Sequence, residues 1–307
     1  MNKPKAILFG PFVGELYWEC GRFVPILSYM VKHPSPKEKF KDVKYIVLTR
    51  EERFDLYGTY ADILIPLRVP NDYNGKVQPD CFRLKGMKKG LYEEIIELFR
   101  KKYEKKYKIL RHIHPNIIKK QFANKNQFAK EKMRYVFSPR KENYNLVDKY
   151  VPNGRPLVVL APRFRIGYRR NWPRWEEFYD ILYRDEFLMD KFQFIICGKP
   201  GEYIKDRKDR FLDMTKIPLE EGSSLVGILL AIMKRAILTV GSQSAIPNIS
   251  LLYKVEVLEF GNQKQLHTKT YNHFNTPITF INNAKYNIEP KEFFSHMRKI
   301  LKKKEIK

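Results

Sequence analysis

Residues 236–252 read AILTVGSQSAIPNISLL. The apolar run 236–240 has the length of a strand buried on both faces, Gly241 and Ser242 interrupt it, and 244–252 places apolar residues at helical spacing. A strand that passes through small residues into a helix leaves the first peptide N–H groups of that helix without carbonyl partners, here from Gly241 to Ala245, and such a helix start binds anions whatever its side chains are. Pro247 is tolerated because it falls in the first turn.

Outward from this stretch the same alternation repeats. Residues 157–161 (LVVLA), 193–197 (QFIIC) and 255–260 (VEVLEF) read as strands, and 175–183 and 224–234 as the helices between them. Strand and helix in alternation imply a parallel sheet with right-handed crossovers, whose ligands sit at the carboxyl ends of the strands. A final amphipathic helix is expected over 289–304, with Phe293, Phe294, Met297, Ile300 and Leu301 inward and the lysines outward. The first half begins in the same way: 5–10 (KAILFG) and 44–49 (KYIVLT) are strand-like around a helical segment 19–31, 63–67 offers a third strand, and 91–107 and 115–135 read as basic helices. VPNGRP at 151–156 breaks either periodicity and reads as a linker. The expected fold class is α/β, with a Rossmann-like unit 1–150 carrying a basic helical insert at 83–134, and a second unit 151–307.

At 307 residues the chain exceeds the size at which a single core stops growing, in keeping with two units. Its longest apolar run, 225–233, is less than half of the roughly 20 residues a membrane-spanning helix needs, and the N-terminus has no signal-peptide pattern, so a cytoplasmic protein is expected. Three cysteines, Cys20, Cys81 and Cys197, are too few and too scattered for a disulfide framework or a zinc cluster. Charge is the unusual feature. There are 59 Lys and Arg against 34 Asp and Glu, a net +25, and residues 83–134 alone hold 17 basic and 5 acidic side chains. Such a field attracts polyanions: nucleic acid, acidic glycan or anionic lipid.

Three places can carry chemistry. In Gly10-Pro-Phe-Val-Gly14-Glu15-Leu-Tyr-Trp18-Glu19 the glycines permit a tight strand-to-helix turn that leaves Glu15 at the carboxyl edge of the first sheet, where a carboxylate can remove a proton from a hydroxyl. Gly14, Trp18 and Glu19 are expected to support it or line an acceptor site. In Ala161-Pro-Arg163-Phe-Arg165-Ile-Gly-Tyr-Arg169-Arg170-Asn171, followed by Arg174, five arginines fall within twelve residues just past a strand end, and the guanidinium fork suits the paired oxygens of a diphosphate. The third place is the helix start at Ser242, Gln243, Ser244, Ala245 and Asn248. The His112-x-His114 pair lacks neighbouring cysteines or acids that would complete a metal-ligand set and is expected to be structural.

In order and spacing these pieces resemble the GT-B glycosyltransferases, most closely the heptosyltransferase-like branch, over about 105 residues. The resemblance is carried by 157–163, by Asn171-Trp172-Pro173-x-Trp175, by Phe194-Ile-Ile-Cys-Gly198 with Gly201-Glu202, by 225–236, by Gly241 to Asn248 and by Leu258-Glu-Phe-Gly261; Gly14-Glu15 is similar to the Gly-Asp pair of that branch. Gln243, Ala245 and Asn248 stand where the branch has Asp, Gly and His, so the resemblance implies the fold and the reaction class without implying a heptose donor.

It implies two Rossmann-like units facing across a cleft with the C-terminal helix packing back. It further implies a nucleotide-sugar donor held by Arg163, Arg165, Arg169, Gly198, Ser242, Gln243, Ser244, Ala245 and Asn248, with Glu15 as base. No cofactor is expected, nor a metal, because no Asp-x-Asp pair occurs and the arginines and helix start supply the positive charge. The acceptor is left open between a surface polysaccharide or lipid-linked glycan, with peripheral association at an anionic membrane, and DNA carrying hydroxylated bases. A nucleic-acid-binding protein on a degenerate GT-B scaffold is the alternative from outside enzymology.

Overall fold

The structure is a computed structural model that describes residues 3–12, 16, 19–32, 41–67, 91–115, 137–151, 154–163, 171–198, 210–263, 272 and 274–305. The chain divides into two compact units, Met1–Arg140 and Lys141–Lys307. The division lies ten residues before the expected boundary.

Unit 1 is built on four parallel strands, β1 (Lys5–Phe12), β2 (Val43–Thr49), β3 (Ile63–Pro66) and β4 (Lys108–Ile113), in the order β3-β2-β1-β4. Ala6, Ile7, Leu8 and Phe9 are all buried, as a strand covered on both faces requires. A π-helical turn (Glu19–Phe23) leads into α1 (Val24–Lys32), a 3-10 turn (Glu51–Leu56) follows β2, and α2 (Leu91–Glu104) precedes β4. Phe99 of α2 is buried, with Ile95 and Tyr103 packed beside it at i−4 and i+4.

Leu98 is 66% exposed, because the inward row of α2 is Ile95, Phe99 and Tyr103. One sequence expectation is corrected here. The basic segment 83–134 is not a helical insert across its described part: Lys108–Ile113 pairs in parallel with β1 and belongs to the sheet. Lys108, Arg111 and His112 break the apolar run in KILRHI and hid that strand inside a lysine-rich stretch.

Between Phe9 and Phe12 the register of β1 against β2 slips. Gly10 makes the slip possible. Its φ of 101° is one that side-chain-bearing residues rarely adopt, and a Cβ there would run into the Leu48 carbonyl. Past the slip, Phe12 stacks on Phe23 with ring centroids 4.2 Å apart, which ties the end of β1 to the turn that opens α1.

Unit 2 carries α3 (Lys141–Tyr150), β5 (Leu157–Ala161), α4 (Trp175–Tyr183), α5 (Glu186–Lys191), β6 (Gln193–Ile196), β7 (Phe211–Asp213), α6 (Leu225–Met233), β8 (Ala236–Ser242), α7 (Ala245–Leu252), β9 (Glu256–Gly261), β10 (Ile278–Asn282) and α8 (Pro290–Glu305). Its six strands are all parallel in the order β10-β9-β8-β5-β6-β7. The edge strands β7 and β10 add to the four expected. α3 belongs to this unit because Asn143 accepts a 2.9 Å hydrogen bond from the buried Ser224 amide and lies against Gly227, where no Cβ would fit.

One face of the sheet, with Val158, Leu160, Phe194, Ile196, Val240 and Phe260, is covered by a largely aromatic layer. Trp172, ahead of α4, meets Phe260 and Phe293 edge-on at 5.1 and 5.4 Å, and its indole N–H donates to the Ile288 carbonyl at 3.1 Å. Phe293, Met297 and Leu301 of α8 are buried there, and Phe294 and Ile300 are partly so. The C-terminal helix thus packs on its own unit, against α4.

Replacing Gly10 with Ala is expected to destabilise unit 1 by about 3 kcal/mol or more, through the left-handed backbone and the collision with β2 together. Urea unfolding of the variant measures this.

Candidate functional site

In both units the chain builds its sheet outward from a first strand and then crosses to the other side: β1, β2, β3 and then β4; β5, β6, β7 and then β8. In both units the first and fourth strands are neighbours; in unit 2 their connections leave in opposite directions, to β6 and to β9, and the crevice this opens at their carboxyl ends is where sheets of this kind bind ligands. In unit 2 the crevice lies between the ends of β5 and β8, the two places to which the sequence assigns arginine and the helix start.

Arg163, two residues past β5, donates a guanidinium hydrogen bond to the main-chain carbonyl of Gln243, the residue after β8. The strands come close here because Gly241 has no side chain: a Cβ would lie 2.7 Å from the Ala161 carbonyl oxygen. Two residues on from Gln243, α7 begins. Ser244 is its N-cap residue by backbone geometry, but its hydroxyl makes no capping bond among the described residues. The amides of Ala245 and Ile246 therefore head the helix without an intrahelical acceptor, and Pro247 has no N–H to satisfy. The anion-binding run is shorter than expected. Gly241 and Ser242 belong to β8, and the Gln243 amide donates to the Phe260 carbonyl at 3.2 Å.

The other expected donor residues distribute around this point. Ser242 is fully buried at the end of β8. The Gln243 side chain turns inward to Asn262 and Tyr286, and Asn248 folds its amide back onto the Ser244 carbonyl at 2.7 Å. Gly198 lies two residues past β6, one strand further from α7. Arg165 and Arg169 lie outside the described residues, as do Gly14, Glu15 and Trp18. Tyr286 and Asn262 were not singled out by sequence, since nothing in their spacing marks them.

At the matching edge of unit 1, Glu19 is buried and accepts from three side chains. One carboxylate oxygen accepts from Thr49 at 2.6 Å and Tyr57 at 2.8 Å, and the other from the buried Arg53. Burial, and then the charge of Glu19, holds the Tyr57 hydroxyl well above its ordinary pKa, so it stays a donor. Burial opposes the Arg53 charge, but Glu19 outweighs it and raises the guanidinium pKa. Glu19 thus joins the π-helical turn to the end of β2 and the 3-10 turn. Burial raises the thiol pKa of Cys20 and Cys197, which leaves both unreactive.

Beside this edge, the His112 ring N–H donates to the Gly10 carbonyl at 2.8 Å, and His114 meets the His112 ring edge-on at 5.3 Å. Burial, and then His112, pushes His114 down to about 4. The pair serves the fold of β4 against β1.

Arg53→Ala strands the buried Glu19 charge and is expected to cost about 3–5 kcal/mol, read from chemical denaturation. The lowered pKa of His114 means that from pH 6.5 down to about 4 the unfolded chain binds a proton that the folded chain does not, so stability falls as pH falls through that window. In His114→Gln the drop in melting temperature across the window should be shallower.

No protein-family model and no curated protein matches the chain. Solved structures do. A glycosyl transferase of family 9 from Veillonella parvula superposes with a TM-score of 0.62 at 12% identity, covering 98% of both chains. The ADP-heptose LPS heptosyltransferase II of E. coli gives 0.56 at 12% identity over 98% of this chain and 99% of its own. The E. coli heptosyltransferase WaaC with ADP gives 0.55 at 7% identity over 96% and 99%. Likeness at such identities is a likeness of fold: the chain has the GT-B architecture of two Rossmann-like units that these glycosyltransferases share.

Proposed function

We propose that the chain is a glycosyltransferase whose C-terminal unit holds a nucleoside diphosphate sugar and whose N-terminal unit supplies the base. The observation that carries this reading is the bond from Arg163 to the Gln243 carbonyl, two residues before α7, at the crevice between β5 and β8. A guanidinium and the uncapped amides of Ala245 and Ile246 at one strand edge suit two linked phosphates, because the helix start places partial positive charge there and arginine adds a full one.

In the reaction, Glu15 takes the proton of the acceptor hydroxyl, whose oxygen bonds to the anomeric carbon as the bond from that carbon to the phosphate oxygen breaks. The electron pair leaves on the nucleoside diphosphate. Arg163, with Arg165 and Arg169 that follow it in the sequence, and the α7 amides stabilise that developing charge. These groups supply the positive charge that a metal ion supplies in other glycosyltransferases.

The net +25 favours a polyanionic acceptor, first an acidic or lipid-linked glycan met at an anionic membrane and second DNA with hydroxylated bases. Among the described residues no helix is long and apolar enough to cross a membrane, so the membrane association proposed is peripheral.

A thermal-shift panel of ADP-, UDP-, GDP- and CMP-sugars tests the donor. One member near a hundred times its dissociation constant should raise the melting temperature by about 5 °C or more. Arg163→Ala should lose that rise, and Glu15→Gln should keep it while losing transfer. No response to any member would sink the reading, and full turnover in Glu15→Gln would remove Glu15 from the base role. Salt-sensitive retention on duplex DNA separates the two acceptors, since a glycan enzyme lacks the steep salt slope.

A further inference from the structure

We infer that Tyr286, acting through the Gln243 side chain, is a positioning residue for diphosphate binding; the inference rests on the donor site proposed above. Gln243 is 7% exposed, and each of its polar groups is engaged. Its Oε1 accepts from the Tyr286 hydroxyl at 2.5 Å and from the Asn262 amide at 3.0 Å, and its Nε2 donates to the Asn262 carbonyl at 3.1 Å. A main-chain N–H can only donate and a carbonyl only accept, so the orientation of the carboxamide is fixed by its partners. On its main chain, Gln243 donates to Phe260 and accepts from Arg163. A Cβ on Gly261 would strike this carboxamide, which shows how closely the end of β9 is drawn onto it.

Tyr286 is held in an unfavourable backbone conformation to make this contact. Its φ of 54° lies in the left-handed region, which a bulky residue rarely adopts and which persists only where the surroundings enforce it. They do so here. The Tyr286 amide donates to the Asn283 carbonyl at 3.0 Å, the Asn283 amide donates to the Gly261 carbonyl at 2.8 Å, and the ring sits edge-on to Phe260.

The consequence lies one residue on. Gln243 directly precedes the N-cap of α7, and its carbonyl carries the Arg163 guanidinium, so the position of one residue sets both anion-binding elements. With the tyrosine hydroxyl gone, Gln243 keeps Asn262 but loses the bond that holds it from the β10 side. The helix start and the arginine then drift together, and phosphate affinity falls without any change in a group that touches phosphate.

Calorimetric titration of the full chain with ADP and with UDP tests this. Tyr286→Phe keeps the ring and should bind the responding nucleotide about five- to tenfold more weakly at unchanged stoichiometry. Leu301→Val loosens the same core at the opposite edge of the sheet, where Lys304 pairs with Glu256 at the start of β9, and should bind as the wild type does. Gln243→Asn shortens the brace from its other end and should reproduce the loss if Tyr286→Phe does not fold. Wild-type affinity in Tyr286→Phe, or an equal loss in Leu301→Val, overturns the inference and leaves the donor site standing. A wild-type chain that binds neither nucleotide brings down the donor site, and the inference with it.

Discussion

Both units depend on a constraint of parallel sheets. A strand laid beside its predecessor needs a crossover, and the crossover is right-handed, so a chain that builds outward and then returns to the other side of its first strand must send two neighbouring connections apart. The gap left at the carboxyl ends holds no side chains by default. In unit 2 the edges of that gap are Ala161 and Gly241, two of the smallest residues, and their contact is close enough that Gly241 tolerates no Cβ. What the structure describes of the proposed donor site is arranged on this edge: Arg163 follows one strand and the helix start follows the other, and the Arg163 bond to Gln243 crosses the gap.

Unit 1 repeats the topology with different chemistry at the same edge. There the first strand slips at Gly10 before it ends, and the connection that follows is anchored at Glu19 by three buried donors. With Thr49, Tyr57 and Arg53 all donating to it, the buried Glu19 carboxylate is committed to the framework. Its work is to hold the turn from which α1 departs. In the proposed mechanism Glu15 and Glu19 thereby have separate tasks, Glu15 for the proton and Glu19 for the framework.

Much of this was legible in the sequence, for a physical reason. Strands buried on both faces must be continuously apolar, so LVVLA, QFII and AILTV announce themselves, and the small residues after AILTV mark the helix start. β4 escaped because KILRHI carries charge into a strand only partly buried, and β7 and β10 because edge strands need less apolar length. The boundary between the units was read at the proline-rich stretch after 150, where regular structure breaks. The packing boundary lies earlier, since Asn143 binds a backbone amide more than 80 residues on, and no local pattern encodes that. The network around Gln243 escaped for the same reason: its members, 243, 262 and 286, meet only once three strands have aligned.

That network gives a physical account of a departure from the pattern this chain resembles. Where the heptosyltransferase-like branch has an aspartate, this chain has Gln243, and a carboxamide can do what a carboxylate cannot: it accepts from the Asn262 N–H while donating to the Asn262 carbonyl. A carboxylate there would face that carbonyl with a lone pair and carry a negative charge next to an anion site. The longer, neutral side chain instead reaches across the end of β9 to Tyr286. Asn248, in place of a histidine, likewise directs its amide to the Ser244 carbonyl and so tightens the first turn of α7. Both side chains are thus committed to inward support. On the proposed reading the anion is gripped by main chain and arginine.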